Sequence, residues 1–115
     1  MQEIENWILN LKQSKKLIIV EGKKDKIALN SLGIKNIITI NKPLYKLTEE
    51  IYSKTKECII LTDLDKEGKR LYHKLKHDLQ KQGVIIDNKF REFLFKNTKL
   101  SNIEGINSYL FKSPN

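Results

Sequence analysis

Apolar residues follow two rhythms along this chain. In one they run together, as in Leu17-Ile18-Ile19-Val20, Asn36-Ile37-Ile38-Thr39-Ile40, Ile59-Ile60-Leu61 after Cys58, and Val84-Ile85-Ile86. Short β-branched runs of this kind predict strands covered on both faces. In the other rhythm they recur every three or four positions, which places them along one side of a helix. Ile4, Trp7, Ile8 and Leu11 mark a helix over 2–14. Ile27, Ala28 and Leu29 are expected to pack a second helix inward, over about 24–32, with Gly33 ending it. Leu44, Leu47 and Ile51 pack a third over about 44–54. The longest predicted helix runs from about Lys66 to Gln82, with Gly68, Leu71, Leu75 and Leu79 on one side. Beyond Asp87, Phe90, Phe93 and Leu94 predict a short helix. Ser101-Asn102-Ile103-Glu104 reads as a capping box opening a last helix, packed by Ile106 and Leu110, and Ser113-Pro114-Asn115 is expected to fray.

Strands that alternate with helices imply right-handed crossovers. The expected fold is therefore α/β, Rossmann-like, with a mainly parallel sheet of about four strands flanked by helices. At 115 residues one domain is expected, with a core over about 15–86, the N-terminal helix 2–14 and a C-terminal helical extension 87–112. Parallel strands bring the residues that follow them to one edge, the carboxyl edge, where open α/β sheets bind ligands.

Composition narrows the partners. The chain is 39% hydrophobic and 31% charged, and no run approaches the ~18 apolar residues of a membrane span. The start, Met-Gln-Glu-Ile-Glu-Asn-Trp, is acidic and amphipathic and unlike a signal peptide, so a cytoplasmic location without membrane partners is expected. Cys58 stands alone, which excludes an internal disulfide and leaves a small apolar filler of a buried strand. The net charge of +8 and pI near 9.5 suit a polyanionic partner. Lysine excess with only two arginines also follows from nucleotide bias, so the placement of charge matters more than its sum. Lys66, Lys69, Arg70, His73, Lys74, His77 and Lys81 fall on the side of the 66–82 helix opposite its leucines, with Asp78 expected off that arc. Lys23, Lys24 and Lys26 crowd the start of the second helix. Lys23, Lys24, Lys66, Lys69, Arg70 and Lys74 are the candidate nucleic-acid contacts.

The candidate chemistry lies where two strands end. Val20 runs into Glu21-Gly22, and Leu61-Thr62 runs into Asp63-Leu64-Asp65-Lys66-Glu67-Gly68. Alternate residues of an extended chain point the same way, so Asp63 and Asp65 can converge. Carboxylates held close repel unless a proton or cation lies between them, and Mg²⁺ is the natural hard cation for oxygen ligands. An acidic helix start on a solvated turn accounts for the same residues. An EF-hand loop from Asp63 needs Glu at position 74, where Lys74 stands, and a preceding helix in place of a strand. A haloacid-dehalogenase motif wants Thr or Val where Glu67 stands, and a receiver domain needs an acidic pair where only Glu21 is present.

In combination the two motifs are specific. Val20-Glu21-Gly22-Lys23-Lys24-Asp25 and Leu61-Thr62-Asp63-x-Asp65-x-x-Gly68, in that order and at strand ends, resemble the Toprim domain. Among its members, the likeness is to a ribosomal-RNA maturation endonuclease and to small archaeal stand-alone Toprim proteins. It covers about 15–86, and Phe90-Arg91-Glu92 with Asn102-Ile103-Glu104-Gly105-Ile106 extends it to the tail of the stand-alone proteins.

The resemblance implies a Toprim fold in which Asp63 and Asp65 bind Mg²⁺, with Mn²⁺ able to substitute, while Glu21 acts as general acid or base or shares the ion. Glu67 is either a further metal ligand or a first-turn acid that complements the helix dipole. Asp25 is expected to cap the second helix, Gly22 to allow a sharp turn, and Gly68 to allow close approach of helix and sheet. Covalent strand passage is not expected, since Tyr45, Tyr52, Tyr72 and Tyr109 lack the context of a nucleophile, and neither is templated priming. The expected activity is Mg²⁺-dependent work on nucleic-acid phosphodiesters, in RNA cleavage or processing. The alternatives are a non-catalytic nucleic-acid-binding module that recruits a protein partner or pairs with itself, and a nucleotide-binding α/β domain.

Overall fold

The computed structural model describes residues 2–112. Its elements in chain order are α1 (Gln2–Ser14), β1 (Leu17–Val20), α2 (Lys23–Ser31), β2 (Ile37–Thr39), α3 (Leu44–Lys54), β3 (Glu57–Ile60), α4 (Lys66–Lys81), β4 (Ile85–Asp87), α5 (Lys89–Asn97) and α6 (Ile106–Lys112). The four strands are all parallel, in the order β2-β1-β3-β4. From β1 the chain crosses one way to β2, then returns past β1 to β3. The direction thus reverses between β1 and β3, and a crevice opens there at the carboxyl edge.

Alternation along the strands divides the core into two layers. Ile18 and Val20 of β1, with Ile59 and Leu61 at β3, face a cluster that takes Ile4, Trp7 and Leu11 from α1, Leu29 from α2, Leu94 from α5 and Ile106 from α6. Leu17, Ile19, Cys58 and Ile60 face the other way, against Leu47 and Ile51 of α3 and Tyr72, Leu75 and Leu79 of α4. Cys58 is fully buried, and its thiol is pushed up to about 12 by burial and by Glu57. The indole N–H of Trp7 donates to the Phe90 carbonyl at 2.9 Å, which ties α1 to α5.

Several expectations shift. Ile27 does not pack inward: it is 65% exposed, because Asp25, Ala28 and Leu29 supply the buried side of the nine-residue α2. β2 starts at Ile37, since Asn36 takes a left-handed φ of 65° that ends extended backbone. β4 is displaced one residue onward, because the Val84 amide still bonds Leu79 at the end of α4. The last helix opens at Ile106, and Ser101–Glu104 is no capping box. There the Ile103 amide bonds the Asp63 carboxylate and the Gly105 amide bonds Asn102, so the segment forms a turn over the sheet edge. Ser113-Pro114-Asn115 lies outside the described residues. No helix among those described is long and apolar enough to cross a membrane.

Candidate metal and nucleic-acid site

β1 and β3 deliver the two acidic motifs side by side. Ile19 of β1 is in register with Ile60 of β3, so Glu21 and Asp63 leave the sheet together at the crevice. The Asp63 amide donates to Oε2 of Glu21 at 2.7 Å. Asp65 is the N-cap of α4, and its Oδ1 accepts from the Gly68 amide at 2.7 Å. Asp25 accepts from the Gly22 amide at 3.1 Å and from the Glu104 backbone, and thus links the start of α2 to the tail.

Gly68 is needed for steric reasons. A Cβ there would meet the Asp63 carbonyl oxygen at 2.1 Å, so only glycine lets α4 begin so close to the strand end. The buried Thr62 hydroxyl donates to the Gly68 carbonyl at 2.7 Å and tightens the same junction.

Burial at this edge shifts the titration of Glu21, Asp63 and Asp25. Burial pushes the Asp63 carboxyl up to about 6, against the Ile103 amide and with help from the charges of Asp25, Glu21 and Asp65. Glu21 is raised by burial, against the Asp63 amide, and then by Asp65, Asp25 and Glu67. Asp25 is raised by burial and by Glu104.

Hydrogen bonds occupy one oxygen on each of Glu21, Asp63 and Asp65. Among the described residues the second oxygen of each has no hydrogen-bond partner. Carboxylate oxygens gathered at one edge, those of Glu21 and Asp63 partly buried, fit a hard divalent cation by their chemistry. They are not drawn into a finished cage: no three His, Cys, Asp or Glu side chains among the described residues are grouped for a metal ion.

Other predicted residues surround this centre. Glu67 is exposed and forms a bidentate pair with Arg70, at 2.7 and 2.8 Å. This pairing lowers the Glu67 carboxyl, whose charge still acts on Glu21. Lys74 pairs with Asp78 at 3.4 Å, so Asp78 interrupts the basic arc that it was expected to avoid. Lys66 and Lys69 are exposed at the start of α4, and Lys23 and Lys24 at the start of α2, beside the acids. His73 and His77 are exposed farther along α4. A groove of about 510 Å³ between α1 and α5 contains none of the candidate acids.

Sequence reasoning missed Arg91. Its Nε and Nη2 donate to the carbonyls of Thr62 and Asp63 at 3.0 and 2.7 Å. Burial lowers its pKa, with Tyr72, Glu21 and Asp63 acting in the opposite sense. A signal was present: in a chain whose 22 basic residues include only two arginines, each arginine marks a place where lysine does not serve. The Ile103 amide carried no such signal, since any residue has one.

Comparison with known proteins agrees with this architecture. The Toprim domain profile matches residues 15–88. A UPF0292 protein of Methanocaldococcus jannaschii is 34% identical over 109 residues, covering 90% of this chain and 85% of that one. A UPF0292 protein of Pyrococcus abyssi is 39% identical over 90 residues, covering 77% and 67%. A solved structure of a protein from Aquifex aeolicus superposes with a TM-score of 0.82 at 38% identity, over 88% of this chain and 95% of that one. With both motifs at the carboxyl edge of a four-stranded parallel sheet, the chain belongs to the Toprim domain family, which ties it to nucleic-acid-related, metal-binding chemistry.

Proposed function

We propose that this protein is a Mg²⁺-dependent Toprim protein acting on nucleic-acid phosphodiesters, in RNA cleavage or processing. The observation that carries this is the hydrogen bond from the Asp63 amide to Glu21, which joins the two acidic motifs at one point of the sheet edge. Asp63 and Asp65 would hold the ion through their remaining oxygens, and Glu21 would either share it or act as general acid or base. When bound, Mg²⁺ would neutralise charge on the phosphodiester and orient its oxygens. Where it does not share the ion, Glu21, raised by burial and then by Asp65, Asp25 and Glu67, would hold and pass a proton as general acid or base. Lys23, Lys24, Lys66 and Lys69 flank the acids and would hold the phosphate backbone, as the charge of a nucleic-acid track requires. The proposed setting is cytoplasmic.

A second reading, a nucleic-acid-binding module that recruits a partner, draws on the absence of a preassembled three-ligand group among the described residues. Incubation with mixed RNA and DNA in Mg²⁺ separates the two. Cleavage by the wild type, lost in Glu21→Gln and Asp63→Asn, is the expected result. Salt-sensitive binding without cleavage would favour the module, and indifference of both cleavage and binding to Mg²⁺ would overturn the metal-dependent reading.

A further inference from the structure

Asp63 is restrained at every polar group but one. Its amide goes to Glu21, its Oδ1 takes the Ile103 amide at 3.0 Å, and its carbonyl takes Nη2 of Arg91. The neighbours are held as well, since the Leu64 amide bonds Ser101 at 2.8 Å and the Thr62 carbonyl takes Nε of Arg91. Among the described residues only Oδ2 of Asp63 is left without a hydrogen-bond partner.

We propose, resting on the divalent-cation site described above, that Arg91 is the positioning residue of that site. Its guanidinium fork sets the two peptide units that flank the Asp63 Cα, and with them the direction in which Asp63 presents Oδ2. Two successive carbonyls on one guanidinium edge need a planar pair of N–H donors at fixed spacing, which lysine lacks. The guanidinium is itself held in place, 4.5 Å from the Tyr72 ring centroid and 5.4 Å from that of Phe95. Tyr72 belongs to α4 and Phe95 to α5, so Arg91 braces helices from opposite faces of the sheet across the end of β3. Arg91 lies beyond residues 15–88, the span matched by the Toprim profile. The site of this chain therefore depends on a helix outside that span.

Charge and geometry make opposite predictions here, which permits a clean test. Arg91→Lys keeps the cation and loses the fork. Arg91→Gln loses the cation, which by electrostatics alone would strengthen Mn²⁺ binding. Mn²⁺ affinity is read by electron paramagnetic resonance of the free ion, well below the unfolding midpoint, on variants shown folded by circular dichroism. Both variants are expected to bind Mn²⁺ about tenfold or more weakly, the usual effect of losing a group that orients a metal ligand. Lys96→Gln, exposed on the same helix, is expected to bind as the wild type does. Folded Arg91→Lys with wild-type affinity, or Arg91→Gln with tighter binding, overturns the role of Arg91 and leaves the cation site standing. A wild type that binds no Mn²⁺ overturns both. Should the variants not fold, the wild type decides by nuclear magnetic resonance. Mg²⁺ should move the Arg91 Nε–H resonance together with the Asp63 amide, and an Asp63 shift with Arg91 unmoved overturns the proposal.

Discussion

The amide of Asp63 donates to the carboxylate of Glu21 at 2.7 Å, across two strands and 42 residues of chain. The closeness that this bond reports costs the site something. It holds a partly buried acid against the strand end that carries another: the amide favours the Glu21 carboxylate, while the charge of Glu21 opposes ionisation of Asp63. The edge is arranged for charge that it does not itself neutralise.

Asp63→Asn is therefore expected to stabilise the metal-free protein at neutral pH while abolishing Mn²⁺ binding. The folded carboxyl is pushed up to about 6, whereas an unfolded Asp titrates near 3.8. The folded state thus binds the proton more tightly, and this group's contribution to stability falls as pH rises from about 4 to about 6. Asn keeps an oxygen acceptor for the Ile103 amide and removes the charge. The gain at pH 7.5 should be on the order of 1 kcal/mol, because partial exposure screens the full shift, and it should vanish near pH 4. Urea titrations of both proteins at these two pH values check it. An Asn variant less stable at pH 7.5 than wild type contradicts it.

Asp87 should show the opposite pH dependence. Its side chain is 5% exposed and pairs with Lys16 at 2.8 Å. Burial opposes its ionisation, but the Lys16 ammonium and the Lys89 amide outweigh that and hold the carboxyl below its ordinary range. The stabilisation is present above the unfolded pKa of about 4 and is lost as pH falls below it. Lys16→Met strands the buried carboxylate and should cost about 3 kcal/mol at pH 7. Adding Asp87→Leu should recover most of that loss. Thermal melts of the single and double variants at neutral pH measure both, and equal losses in the two would refute the pairing.

Gly68→Ala should be among the most damaging single-methyl additions in the chain. The new Cβ would sit 2.1 Å from the Asp63 carbonyl oxygen, and backbone must move to admit it. A loss of about 3 kcal/mol or more is expected, with Mn²⁺ binding weakened in whatever remains folded. Denaturant midpoints within experimental error of the wild type would show that the junction is looser than this.

Polyanion binding should depend on the start of α4 more than on its middle. Lys69→Glu is expected to weaken binding to a mixed-sequence RNA and to lower the salt slope by about 1. Lys74→Glu should do less, because Asp78 already shares its charge. Fluorescence anisotropy across a salt series distinguishes them, and equal effects would place the track elsewhere.

The fold was legible in the chain because its signals are local. The runs at Leu17–Val20 and Ile59–Leu61, with leucines at helical spacing between Lys66 and Gln82, dictate buried strands and a helix whatever surrounds them. Parallel connection then brings Glu21 and Asp63 to one edge, so the acids that follow strands could be named from sequence, as could the Toprim resemblance. Only tertiary structure decided the details at that edge. Glu67 is engaged in an exposed ion pair because Arg70 lies one helical turn away and offers a fork. Ser101–Glu104 gives up its helix start because the Ile103 amide finds the Asp63 carboxylate. Arg91 comes into play because α5 packs so that its guanidinium meets two strand-end carbonyls. Each of these turns on which donor a long-range approach places beside which acceptor. Sequence periodicity records which face is buried, but it does not record what that face meets.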